Sequence, residues 1–136
     1  MQVIIVPRSQ LTPAEAAHLS ARISAPEHAN DNGACRSWDT LGTHGVLFVA
    51  SLESANHREP FGVLSAGGAK EQTIVAWWID STYRGKHLGS KMIDSFAKHL
   101  KSIGVTGIGK IAIDTFAGKY YKQSCALARK LRSHFE

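Results

Sequence analysis

Residues 75–96 read VAWWIDSTYRGKHLGSKMIDSF. The run opens as an apolar strand, turns through a basic segment carrying Gly85 and Gly89, and closes as the first turns of an amphipathic helix. A strand ending at Ile79 and a helix beginning near Leu88 leave the unpaired N–H groups of the helix's first turn at the mouth of the loop. Those donors, with the positive end of the helix dipole, favour an anion. Gly85 and Gly89 remove side chains where a phosphate needs close approach to the backbone, and Arg84, Lys86 and Lys91 add charge. The residues alone leave two readings open: a cradle for phosphate or pyrophosphate, or a basic strand-to-helix junction without a ligand. Neither GxxxxGK-Ser/Thr nor GxGxxG is present, so the loop is not of the nucleotide-binding types those patterns mark.

Working back from this stretch, TIVAWWI (73–79) is the most strand-like run of the chain. VLFVASL (46–52) and PFGVLSAG (60–67) precede it, joined by the turn SANHREP, and predict an antiparallel hairpin. QVIIV (2–6) predicts a first buried strand closed by Pro7. Thr12, Pro13 and Glu15 form the capping-box pattern of a helix start, and Ala16, Leu19 and Ile23 continue it to about Ser24, before Pro26. Residues 25–45 are polar, glycine-containing and aperiodic, which predicts an irregular segment with one short helix at most.

Working forward, Leu88, Met92, Ile93, Phe96, Ala97, Leu100 and Ile103 mark one face of a helix that Gly104 should stop. GIGKIAID (107–114) predicts a strand, and residues 116–134 a last helix with Lys and Arg on its polar side. The order is β, α, irregular, β, β, β, α, β, α. A strand, helix and strand unit inside a mostly antiparallel sheet indicates a mixed α/β (α+β) fold.

The 136 residues, 43% hydrophobic and 20% charged, fit one globular domain over 1–136 with a real core. No run has the roughly 18 apolar residues of a membrane span, and the first ten residues do not resemble a signal peptide, which points to a cytoplasmic protein. Cys35 and Cys125 are far apart and without CxxC spacing, so neither a disulfide framework nor a metal site is indicated. The net charge of +5 is uneven: residues 81–135 hold eleven Lys or Arg against Asp94 and Asp114, whereas residues 1–80 hold five against eight acids. The C-terminal part suits an anion, and the N-terminal part tolerates a cation.

In the loop and its flanks the sequence resembles the GCN5-related N-acetyltransferase (GNAT) family. That family's acetyl-coenzyme A signature, Arg/Gln-x-x-Gly-x-Gly/Ala, corresponds to Arg84-Gly85-Lys86-His87-Leu88-Gly89, with His87 where the family carries glycine. The preceding WWIDSTY resembles the family's fourth strand and its run into Tyr-Arg-Gly. Further on, Asp114-Thr115-Phe116-Ala117-Gly118-Lys119-Tyr120-Tyr121 resembles the family's Asn-x-x-Ala-x-x-x-Tyr, with Asp114 in place of Asn. The resemblance covers most of the chain, with its specific motifs in residues 74–121. It departs at the end, where KQSCALARKLRSHFE reads as a helix in place of two further strands, which implies either a shortened monomer or completion by a second subunit in a homodimer.

The resemblance implies a GNAT-like, mostly antiparallel twisted sheet flanked by helices, with acetyl-CoA as co-substrate, no metal, and an amine acceptor. Backbone near Trp78 and Ile79 would meet the pantetheine arm, and Arg84, Gly85, Lys86, His87, Leu88, Gly89 and Ser90 the pyrophosphate, with Asp114 at the family's Asn position. The implied reaction is direct attack of a neutral amine on the thioester, with Tyr121, or Tyr120 beside it, as the acid that protonates the departing thiolate. Glu71, Glu53 and His44 are the conceivable bases. Trp38, Glu27, Asp31 and Asp39 lie where family members shape the acceptor pocket. His87 either donates to a phosphate or fills a backbone position that tolerates a side chain. Ser124 and Cys125 have no neighbouring His or Asp pattern, which argues against a hydrolase or thiol nucleophile. A competing reading is a non-catalytic binding module whose basic last helix, with Lys119, Lys122, Arg129, Lys130 and Arg132, meets nucleic acid or a protein; no DNA- or RNA-reading motif supports it.

Overall fold

The computed structural model describes residues 2–28, 46–69, 72–111 and 121–136. Five strands, β1 (Gln2–Pro7), β2 (Val46–Ser54), β3 (His57–Ala69), β4 (Gln72–Ile79) and β5 (Ile108–Ile111), form one sheet in the order β1-β2-β3-β4-β5. The first four are antiparallel neighbours, and β5 runs parallel to β4. The helices are α1 (Pro13–Ile23), α2 (Leu88–Ser102) and α3 (Tyr121–Ser133). Predicted and observed element order agree, and the mixed, mostly antiparallel architecture is the expected one.

Local chemistry accounts for the element ends. Thr12 Oγ1 accepts from Glu15 N at 3.1 Å and Glu15 Oε1 accepts from Thr12 N at 2.9 Å, the reciprocal capping box, with Pro13 at the first helical position. At the other end of α2, Val105 N donates to Leu100 O and Gly104 N to Lys101 O, with Gly104 at φ 94°. This is the paired closure that a left-handed residue permits, and Val105 packs against the core that holds Leu100.

The alternation of side chains divides the core between the two sheet faces. Leu47, Val49, Val63 and Trp78 face α1 and pack on Leu19 and Ile23. Phe48, Ala50, Leu64, Ala66 and Val75 face α2 and α3 and meet Met92, Ile93, Phe96, Leu100 and Leu131, with Trp77 and Ile79 packed at their margin. The two tryptophans thus lie on opposite faces, each against its own layer.

The hairpin is tighter than SANHREP predicts: only Ala55 and Asn56 separate β2 from β3, and His57, Arg58, Glu59 and Pro60 belong to the strand. Pro60 is tolerated because the register slips there, Ala50 pairing with Gly62 but Ser51 with Pro60, which leaves Phe61 as the extra residue of a bulge. At that bulge Gly62 is needed, since a Cβ would stand 3.0 Å from Trp78 O and 3.3 Å from Met92 Sδ. Of the irregular segment, Pro26–His28 form a 3-10 turn, and the rest lies outside the described residues. Among the described residues no strand follows α3, and no helix is long and apolar enough to cross a membrane.

Candidate anion and acyl-transfer site

The site lies at the end of β4, beyond its described pairing with β5. Their parallel pairing involves Thr73, Ile74 and Val75 with Ile108, Lys110 and Ile111, and among the described residues β5 does not accompany β4 to its end at Ile79. On the other side β4 stays paired to β3, and Asp80 N donates to Phe61 O at 2.9 Å. Because hydrogen-bonded and non-hydrogen-bonded pairs alternate, that bond fixes which groups face which way. The peptide groups of Trp78 turn to β3, and those of Trp77 and Ile79 turn away from it, to the opposite edge of β4.

The chain then makes a 3-10 turn at Ser81–Tyr83, capped by Asp80, whose carboxylate accepts from Thr82 N at 3.0 Å. Arg84 folds back so that its Nε donates to Ile79 O at 2.8 Å, which puts the guanidinium beside the end of β4. Gly85, at φ 79°, turns the backbone into open space with nothing within 4 Å of the place a Cβ would occupy. Lys86 is exposed, with Nζ 5.8 Å from the Tyr83 ring centre. Burial pushes the Tyr83 hydroxyl up from its ordinary range, reinforced by the nearby Glu59 carboxylate.

His87 is the residue before α2 and takes a left-handed backbone, φ 61° and ψ 15°, without its side chain capping the helix. Glycine would take this conformation without strain, so the site keeps the backbone geometry that the signature glycine serves while carrying an imidazole. The first-turn N–H groups of α2 receive no acceptor from the cap residue, and no acidic side chain lies in that turn. Uncapped donors, a glycine turn open to solvent and two cationic side chains suit an anion such as a phosphate.

Gly89 is turned away from this mouth. A Cβ on it would meet Leu127 of α3 at 3.1 Å and Ile79 Cδ1 at 3.4 Å. The third signature residue therefore brings β4, α2 and α3 together. Two further contacts continue the seam: Lys130 Nζ donates to Ser90 Oγ at 2.6 Å and lies 3.3 Å from Asp94, which also meets His134 at 2.8 Å. Burial raises the Asp94 carboxyl, but His134 and Lys130 outweigh it and hold it below the usual range.

These contacts show that α3 runs parallel to α2, with Leu127 level with the start of α2. At about 1.5 Å per residue, Tyr121 stands roughly 9 Å further out on the loop side. It is 41% exposed, and the Cys125 side chain beside it raises its hydroxyl above the ordinary value. Tyr120 and Asp114 lie outside the described residues, as do Trp38, Asp31, Asp39, His44 and Glu71. Glu53 is exposed on β2, two strands across from β4. It lines a concavity of about 850 Å³ with Gln2, Ser54, Ala55, Asn56, His57 and Arg58, and none of the loop residues lines that space. Glu27 is engaged with Arg22 at 2.7 Å and accepts from Ser81 Oγ at 2.6 Å.

Sequence reading missed the partners behind the loop. Asp80, 2% exposed, accepts from Arg22 through both oxygens at 2.8 Å. Burial raises its carboxyl, but Arg22 and the Thr82 N–H outweigh this and bring it to about 2, while the Asp80 bond raises the Arg22 guanidinium. Lys130, part of a basic face in the sequence, instead bonds to Ser90 and pairs with Asp94.

No family model and no curated protein sequence matches the chain. Solved structures do match its shape. A domain from Methanocaldococcus jannaschii superposes with a TM-score of 0.63 at 19% identity, over 96% of this chain and 86% of that one. A GCN5-related N-acetyltransferase from Sphaerobacter thermophilus gives 0.57 at 13% identity, over 94% of this chain and 42% of that one. The ribosomal-protein-S18-alanine N-acetyltransferase from Escherichia coli gives 0.56 at 13% identity, over 96% and 76%. The chain has the GNAT fold.

Proposed function

We propose that residues 1–136 act as one acetyl-CoA-dependent N-acetyltransferase domain that transfers an acetyl group to a primary amine. The observation that carries this is the junction of β4 and α2. An uncapped helix N-terminus, the open turn at Gly85, Arg84 and Lys86 sit together at the end of β4, beyond its last pairing with β5 among the described residues.

In this reading the first-turn N–H groups from Leu88 to Ser90, with Arg84 and Lys86, bind the pyrophosphate. The outward N–H and C=O of Trp77 and the N–H of Ile79, whose carbonyl accepts from Arg84, pair with the amides of the pantetheine arm, as a strand edge pairs with an extended chain. Trp78 contributes by packing, since its peptide groups face β3. Acetyl-CoA supplies an acyl group already activated as a thioester. The amine enters neutral, its nitrogen bonds to the acyl carbon as the C–S bond breaks, and its surplus proton leaves to water. Tyr121 gives its phenolic proton to the departing sulfur; its raised hydroxyl stays protonated at neutral pH and so remains a donor.

Of the basic residues on the last helix, two are engaged within the fold, while Lys122 and Arg129 are exposed. Lys130 is spent on Ser90 and Asp94, and Arg132 donates to Ile108 O at 3.1 Å.

The test is a calorimetric titration with coenzyme A, followed by thiol release from acetyl-CoA across a panel of amines. Lys86→Glu reverses a charge at an exposed position and should weaken coenzyme A without lowering thermal stability. Absence of coenzyme A binding at millimolar concentration by the wild-type protein would overturn the proposal.

A further inference from the structure

The Arg22–Asp80 pair joins the last turn of α1 to the residue that begins the loop, 58 positions later in the chain. Arg22 Nε donates to Asp80 Oδ2 and its terminal nitrogen to Asp80 Oδ1, both at 2.8 Å, and the same nitrogen reaches Thr82 Oγ1 at 3.1 Å. Asp80 Oδ1 also accepts from Thr82 N, and Asp80 O accepts from Tyr83 N at 2.8 Å. A second arm runs from Arg22 through Glu27 to Ser81 Oγ. Asp80, Ser81 and Thr82 are thus all tied, directly or through one side chain, to α1 or the turn that follows it.

We infer that Arg22 is a positioning residue for the anion loop: by fixing Asp80 and Thr82 it holds residues 81–84 so that Arg84, Gly85 and the first turn of α2 face a pyrophosphate together. The inference rests on the coenzyme A reading of the same loop. Its physical basis is that residues 81–84 lie beyond the β3–β4 ladder: Tyr83 is held through its ring against Phe61 and Arg84 through its Nε on Ile79 O, and the Arg22 fork is what ties Asp80 and Thr82 to α1. A ligand that has to order such a segment loses affinity in proportion to the freedom it removes. The planar fork of arginine suits the task, since it meets both carboxylate oxygens and the threonine hydroxyl at once, which an ammonium cannot do in this geometry.

The same helix supplies a control. Arg58 on β3 grips Glu15 at the start of α1, its Nε donating to Glu15 Oε2 at 2.7 Å. The pair has the same chemistry and is bonded to no residue of the loop. Arg22→Lys and Arg58→Lys should both lower thermal stability, but only Arg22→Lys should reach the site.

The experiment compares these two variants and wild type by calorimetry with coenzyme A, by steady-state kinetics, and by amide hydrogen exchange at Thr82, Tyr83 and Arg84. For Arg22→Lys we expect roughly tenfold weaker coenzyme A binding and a matching rise in KM for acetyl-CoA, kcat changed by less than about twofold, and faster exchange at those three amides. Glu27→Gln, which loosens only the second arm at a half-exposed side chain, should show the same pattern at about threefold and serves if Arg22→Lys does not fold. Wild-type affinity in Arg22→Lys, or an equal loss of affinity in Arg58→Lys at equal loss of stability, would reduce the pair to a structural one. If wild type itself binds no coenzyme A, the reading of the loop falls first and takes this inference with it.

Discussion

Gly89 of α2 and Leu127 of α3 are in direct apposition: a Cβ on the glycine would stand 3.1 Å from Leu127 Cδ1. The residue that the signature marks for phosphate clearance is, in this fold, a packing residue between two helices and Ile79. Gly89→Glu is therefore expected to destabilise the protein without any ligand, by about 1 to 3 kcal/mol, the usual range for overpacking. Chemical denaturation of the ligand-free protein checks this. Unchanged stability would mean that the α2–α3 seam is not packed as described.

His87 holds a left-handed backbone that L residues enter at a cost of about 1 to 2 kcal/mol, part of which glycine gives back through its freer unfolded chain. His87→Gly should leave the protein more stable by about 0.5 to 1 kcal/mol, and His87→Ala should not. If the imidazole donates to a bound phosphate, coenzyme A affinity falls in His87→Gly even as the melting temperature rises, so the two measurements separate the backbone from the side chain.

Asp80 and Glu15 tie stability to pH. Arg58 holds the Glu15 carboxyl at about 2 from an ordinary 4.5, against its burial, and Arg22 with Thr82 brings Asp80 to about 2 from 3.8 although burial opposes them. A carboxyl depressed on folding stabilises the native state at pH values above its unfolded pKa and loses that contribution as pH falls toward the folded one. Stability should thus be flat in these groups above about pH 5 and decline between about pH 4.5 and 2, by roughly 2 to 3 kcal/mol for each carboxylate. Denaturant midpoints measured from pH 7 to 2.5 test this, and Arg58→Lys should flatten part of the decline.

What the sequence made legible was whatever local chemistry decides. Thr12 and Glu15 announce a capping box because both partners lie within one helical turn, and Gly104 announces the stop of α2 because only a left-handed residue closes it that way. The turn is shorter than the sequence suggests because His57, Arg58 and Glu59 look like turn residues, while a bulge at Phe61 lets them remain in a strand. Which peptide groups of β4 face outward depends on its register with β3, and Asp80's partner lies on another element. Neither leaves a mark in the residues around the loop.

Tyr121 offers the sharpest test of the chemistry. It is the first described residue of α3, on the loop side of the seam fixed by Gly89, Ser90, Leu127 and Lys130, and it is half-exposed with Cys125 beside it. If it protonates the departing thiolate, Tyr121→Phe removes the proton and leaves the ring. We expect kcat to fall about 100-fold, within the usual range for a lost general acid, with KM for acetyl-CoA and coenzyme A affinity unchanged. The neighbouring Cys125 adds a control: Cys125→Ser keeps a polar group beside the phenol and should retain most activity. Wild-type kcat in Tyr121→Phe would transfer the role away from this residue, and Tyr120→Phe is then the variant to measure.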